Sequence, residues 1–160
     1  MRIIEQTVVL PAPAERVWQA VHNPAVLKHI IAPLVAVRPI EPKSFPDEYV
    51  PGSYVLGLRV FGALPAGRQA MHLDHPAPEP GEALPRYVLH DHGSGDVARI
   101  WDHRILIVPL TDATCQYTDR VTIEAGLLTA FVTLLARVLV AHRQRRLAAL
   151  ASNSFQVPST

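Results

Sequence analysis

The sequence predicts an α+β fold: an antiparallel, curved sheet of about seven strands gripping a long C-terminal helix, with two short helices after strand one. Three observations carry this. Two short helical patterns follow the first strand pattern. A succession of segments with period-two alternation then runs to Glu124, joined mostly by short turns. The chain closes on Ala125–Ser152, its longest unbroken helical pattern, rich in Leu, Val and Ala.

Residues 2–10 suit a first strand through Ile3, Ile4 and Val8-Val9-Leu10. Pro11-Ala12-Pro13 breaks it, and Ala14–Val21 follows with Val17, Trp18 and Val21 at helical spacing. Asn23 as N-cap and Pro24 as first helical residue begin a second helix, whose apolar face is Val26, Leu27, Ile30 and Ile31 and which Pro33 ends. Leu34–Ile40 is the next strand. Residues 41–51 form a proline-rich loop or a frayed edge, and Gly52–Phe61 a strand. Gly62–Gly67 is expected as a turn, Arg68–Asp74 as a strand, and the proline-rich stretch 75–85 as a loop, because proline lacks the ladder donor. Arg86–His92, Arg99–Val108 and Thr114–Glu124 complete the sheet, with turns at Gly93–Asp96 and Pro109–Ala113. Short connections between neighbours imply antiparallel pairing. No repeat or internal boundary is visible, so residues 1–152 are expected as one domain and 153–160 as a flexible tail.

With 160 residues and 49% apolar content the chain can bury a core of its own. Net charge is +1, and the short Arg143-Gln144-Arg145-Arg146 cluster lacks the further basic and interleaved aromatic residues of a nucleic-acid surface, so no nucleic-acid partner is expected. The lone Cys115 fits a reducing compartment, and the N-terminus shows no signal pattern, so a cytoplasmic location is expected. The apolar run Ala125–Ala141 reaches only the lower limit of about 17–25 residues for a membrane span and contains Arg137. A core helix is the better reading, without stable membrane insertion.

The opening Val8-Val9-Leu10-Pro11-Ala12-Pro13-Ala14-Glu15-Arg16-Val17-Trp18, the Asn23-Pro24 helix start, the strand count and the long last helix together resemble the START-like, or SRPBCC, helix-grip superfamily, across essentially the whole chain. The resemblance implies a seven-stranded antiparallel sheet wrapped on the last helix, with a cavity for hydrophobic ligands between them. That superfamily includes lipid carriers, hormone and allergen-type binders and polyketide cyclases. It supplies no shared catalytic motif, so no residue role is transferred.

Strand parity supplies the site. Pairing Val108 with Thr114 places Ile107 opposite Cys115, Ile105 opposite Tyr117, His103 opposite Asp119 and Trp101 opposite Val121, all on one face. The other face receives Asp102, Arg104, Thr118 and Arg120. The first, mostly apolar face is expected to meet the terminal helix through Phe131, Leu134, Leu135 and Val138. The polar stripe of Thr129, Thr133 and Arg137, with Gln144 beyond it, is expected to look outward. The expected ligand-binding set is therefore Trp101, His103, Ile105, Tyr117, Asp119, Phe131, Leu134, Leu135 and Val138. A carboxylate beside a histidine fixes the ring and favours the imidazolium. His103 and Asp119 are thus the candidates for general acid/base catalysis, for anchoring the polar end of a ligand, or for a plain buried pair. His90 and His92 share a strand face in a His-x-His pattern, but no third ligand stands at diagnostic spacing, so no metal and no cofactor is expected. Leu139, Val140 and Phe155 suggest a homodimer contact.

Three functional readings follow: binding of a small hydrophobic, lipid-like or aromatic ligand; a cyclase, dehydratase or hydrolase using His103 and Asp119; and an interaction domain with a filled core.

Overall fold

A computed structural model describes residues 1–76 and 87–158; most of the proline-rich stretch 75–85 expected as a loop, and Arg86 expected to start the next strand, lie outside the described residues. The elements are β1 (Arg2–Leu10), α1 (Ala14–Val21), α2 (Pro24–Ile31), β2 (Val35–Glu41), β3 (Gly52–Val60), β4 (Leu64–Asp74), β5 (Tyr87–Gly95), β6 (Ile100–Thr111), β7 (Thr114–Glu124) and α3 (Thr129–Ser152). The seven strands form one antiparallel sheet in the order β1-β7-β6-β5-β4-β3-β2. The sheet curves around α3, as the fold class anticipates.

Local chemistry places the helices. The Asn23 side chain accepts from the Ala25 N–H at 2.8 Å, and Pro24 takes the first turn of α2, where an amide N–H has no helical partner. Before α3, Gly126 adopts φ 55°, a left-handed conformation that a Cβ disfavours. The Thr129 hydroxyl then accepts from the Ala125 N–H and donates to the Gly126 carbonyl, closing the helix start.

The strand ends differ from expectation where proline and glycine suggested turns. β4 begins at Leu64 and β5 continues to Gly95, so the expected turns at Gly62–Gly67 and Gly93–Asp96 are largely strand. β6 runs through Pro109 to Thr111, and the β6–β7 hairpin turns on Asp112 and Ala113. A bulge between Pro109 and Thr111 accommodates the missing proline N–H. The register therefore shifts by two residues: His103 lies opposite Val121, and Asp119 opposite Ile105. A two-residue shift preserves the face of every side chain, so His103 and Asp119 remain on the helix side as diagonal neighbours.

The core has two parts. The larger joins α1, α2, the sheet centre and the last turns of α3, around Leu10, Val17, Ile30, Ile107, Tyr117 and Leu147. The smaller joins Ile4, Val121 and Ile123 to Val132, Ala136 and Val140 of α3. Beyond α3, Phe155 and Val157 pack back on the larger part.

The rotation of α3 overturns the expected facing. Phe131, Leu134, Leu135 and Val138 are exposed by 49–60%, so they do not oppose the sheet. Thr133 and Gln144, expected outside, are buried, while Arg137 is exposed as expected. The cause is the ionic group inside the sheet. Arg143 and Gln144 turn inward to Asp119. Nine residues earlier is two and a half turns, so Leu134 and Leu135 must face away. The sheet-facing residues Val132, Thr133, Ala136 and Val140 are small enough to let the helix sit close.

Candidate functional site

Three elements converge at Asp119. From β6, His103 Nε2 lies 2.7 Å from Asp119 Oδ1. From β7, the Tyr117 hydroxyl donates to the same oxygen at 3.2 Å. From α3, Gln144 donates to Asp119 Oδ2 at 2.9 Å, and Arg143 stands 3.7 Å from Oδ1 while donating to the Tyr117 oxygen at 3.1 Å. Gln144 also donates to the Gln6 carbonyl at 2.9 Å, tying β1 into the set. Every member is buried or nearly so, so each interaction acts in a low dielectric.

The electrostatics follow. Burial opposes ionisation of Asp119, but Arg143 and the hydrogen bonds from His103 and Gln144 outweigh it and hold the carboxyl below its usual range. Burial is also the largest influence on His103. Helped by the Arg143 charge, it lowers the histidine below its ordinary value despite Asp119. The imidazolium expected from the carboxylate is therefore not the favoured form. A neutral His103 donating Nε2–H to Asp119 leaves Nδ1 with a free lone pair, able to accept a proton or hydrogen bond. Burial likewise raises Tyr117, which keeps its proton as a fixed donor.

This network borders a small free volume of about 60 Å³. Leu27, Met71, Leu73, Leu89 and Ile105 form its apolar wall, and Tyr49, Asp91, His103 and Arg143 its polar points. Asp91 lies directly opposite His103 in the β5–β6 ladder and accepts from the His72 N–H at 3.0 Å. Burial lifts its carboxyl to about 7. Tyr49 Oη and Arg143 Nε are buried without a hydrogen-bond partner among the described residues. An unsatisfied buried polar atom is costly, and two beside one free volume single it out.

Of the expected ligand-binding residues, His103 and Ile105 line this volume. Asp119 and Tyr117 sit behind it in the network. Trp101 packs instead against the smaller core part. Phe131, Leu134, Leu135 and Val138 lie on the outer surface and do not line this volume. Sequence reasoning missed Arg143, read as part of a solvated helix end, and Gln144. Their signal was available: an Arg-Gln pair follows an apolar helix stripe, and a buried carboxylate on the facing strand demands such partners. It missed Tyr49 and Asp91 as well, since a proline-rich loop and a polar strand end carry no periodic signal. The residues expected at a homodimer contact do not form an exposed patch. Val140 is buried, and Leu139 and Phe155 are packed on the core, whereas Leu127, Leu128, Phe131, Leu134, Leu135 and Val138 form an exposed apolar stripe.

The fold is shared with solved structures at low sequence identity. The chain is similar to protein CV1439 from Chromobacterium violaceum (21% identity, TM-score 0.63, covering 94% of this chain and 97% of that one). It is similar to a START superfamily protein from Mycobacterium smegmatis (17%, TM-score 0.65, covering 96% and 99%). It is also similar to the Zhui aromatase/cyclase of a Streptomyces species (15%, TM-score 0.65, covering 98% and 96%). No curated protein matches. The START-like helix-grip architecture expected from the sequence is thus the architecture observed. A family model described as a domain of unknown function, DUF8410, matches residues 8–151, nearly the whole folded chain, and the protein belongs to that family.

Proposed function

We propose that the protein binds a small, mostly apolar or aromatic molecule carrying one hydroxyl or carbonyl group, in the interior between sheet and α3. The observation that carries this reading is the pair of buried donors without a partner among the described residues, Tyr49 Oη and Arg143 Nε, at a mostly apolar free volume. Binding sites of this kind are apolar with a few placed polar groups. Arg143 is already balanced by Asp119, so the site favours a neutral polar group over a full anion. About 60 Å³ admits only one or two water-sized groups, since liquid water occupies about 30 Å³ per molecule. A ring-sized ligand therefore enters as Leu27 and Met71 swing aside; Met71 is unbranched and adaptable. The START-like neighbours support a ligand-binding helix-grip fold and leave the ligand itself open.

The test is displacement of anilinonaphthalene sulfonate by 2-naphthol, with two variants to locate the probe. Met71→Trp fills the interior volume, and Leu134→Glu disrupts the exposed stripe on α3. Loss of displaceable binding in Met71→Trp alone is the expected result. Loss in Leu134→Glu alone would place the probe on the surface and refute the interior site.

One observation favours a second, catalytic reading: His103, neutral and oriented by Asp119, lines the same volume. It predicts that His103→Gln abolishes turnover of a cyclase, dehydratase or ester substrate although the folded variant still binds the probe in the interior. The homodimer expectation moves to the α3 stripe, where a two-fold contact would cover the same side chains on both copies. Sedimentation of wild type and Leu134→Glu tests it: a dimer through this stripe becomes monomer in the variant.

A further inference from the structure

The convex face of the sheet carries a second cluster, on the side away from α3. Asp74 on β4 lies directly opposite His90 on β5, and His92 lies directly opposite Asp102 on β6. Pairing therefore brings four side chains from three strands onto one face. Ligand atoms of Asp74, His90 and His92 all lie within 4.8 Å of one another. His92 Nε2 is 2.9 Å from Asp74 Oδ2, and His90 Nδ1 is 3.8 Å from Asp74 Oδ1.

We propose that Asp74, His90 and His92 bind one divalent cation of the zinc class, with Asp102 orienting His90 from behind. Four features support this. First, the third ligand that the His-x-His pattern lacks in sequence is supplied across the ladder by Asp74. Second, Asp74 Oδ1 is buried with no hydrogen-bond partner among the described residues, an acceptor whose need a cation meets. Third, His90 Nε2 stands 2.9 Å from Asp102 Oδ2, the carboxylate–histidine arrangement that fixes the ring with its other nitrogen free for a metal. Fourth, the His90 side chain is only 3% exposed although it lies on the outer face, so its ring is held in place before any ligand arrives.

The donor set defines the ion. Two imidazoles and a carboxylate suit zinc, cobalt or nickel, whereas magnesium and calcium prefer all-oxygen sites. Arg104 Nε donates toward His90 Nε2 at 3.3 Å and so competes with Asp102 for that nitrogen; binding of the ion at Nδ1 selects the tautomer in which Nε2–H donates to Asp102, at the expense of the longer Arg104 contact. Three protein ligands leave a fourth, solvent-facing position beside the half-exposed His92. The ion would also join β4 to β5, across a seam with few ladder pairs.

The test uses chelator-stripped full-length protein titrated with zinc chloride by calorimetry and with cobalt(II) by visible absorption. One equivalent should bind, with the visible bands of a low-coordinate cobalt site and a raised melting temperature. Asp74→Asn and His92→Gln should each weaken binding at least tenfold, and Asp102→Asn about ten- to hundredfold. His72→Gln, a change at an exposed histidine on the same face, should have no effect. Absence of one-equivalent binding in the wild type would overturn the proposal without reference to any variant. Equal loss in His72→Gln, or retained affinity in both Asp74→Asn and His92→Gln, would overturn it too, by showing diffuse surface-histidine binding.

Discussion

Replacing Arg143 with Met removes the cation from the buried network and keeps most of the side-chain volume. At 3.7 Å from Asp119 Oδ1, and with an effective dielectric of about 20, the charge pair attracts by roughly 4 kcal/mol. The hydrogen bond to Tyr117 is also lost, while the cost of burying the guanidinium is returned. The expected net loss is about 3–5 kcal/mol, the range for breaking a buried pair from one side. Urea unfolding at neutral pH measures it. The double variant Arg143→Met with Asp119→Leu removes both charges and should recover most of the loss, because no buried charge is left uncompensated. The pH dependence carries a second signature. Asp119 has a lowered folded-state value, so its ionisation stabilises the wild type above the ordinary carboxylate range, and that contribution is lost as pH falls through the folded value. Without Arg143, burial dominates and raises the carboxyl, so the deficit of the variant should shrink as pH falls. A loss below about 1 kcal/mol, or no recovery in the double variant, would return Arg143 to the solvated helix end and refute the network.

Three further predictions follow from individual environments. Asp91 is raised from 3.8 to about 7, so its protonated form stabilises the fold fully below the lower value, and this is lost as pH rises toward the upper one. The span corresponds to at most roughly 4 kcal/mol. Urea unfolding from pH 4 to 8 should show Asp91→Asn, which can still accept from the His72 N–H, losing less stability than wild type; parallel curves would contradict the assignment. Leu134→Glu should change stability by no more than about 0.5 kcal/mol, whereas Leu147→Ala should cost about 2–5 kcal/mol; the reverse order would restore the facing expected from the pattern alone. Cys115 is fully buried and its thiol is pushed up to about 11 by burial, so thiol reagents should label it only as fast as the chain opens; rapid labelling in native buffer would contradict its placement.

Most of the fold was legible because its signals are local. Asn23-Pro24 announces a helix by capping chemistry, and period two marks Gly52–Phe61 as a strand. The parity of His103 and Asp119 survived a two-residue error in register, since only an odd shift moves a side chain to the other face. What misled was composition. Prolines and glycines at 62–67 and 109 read as breaks, although the strands run through them beside bulges in the β3–β4 and β6–β7 ladders. The rotation of α3 was beyond a hydrophobic count, because Leu134, Leu135 and Val138 outnumber the small residues that pack inside. A single buried carboxylate decides that rotation, and its partners come from a strand and a helix that sequence spacing does not relate. Asp74 and Asp102 joined the histidines for the same reason, through pairing between strands.

The most direct test of the interior binding site is an NMR titration of the His103, Tyr49 and Arg143 side-chain resonances with 2-naphthol. Saturable shifts at these three groups, abolished in Met71→Trp and retained in Leu134→Glu, are the predicted result. Shifts confined to Phe131, Leu134 and Val138, with His103 unmoved at saturation, would contradict the account.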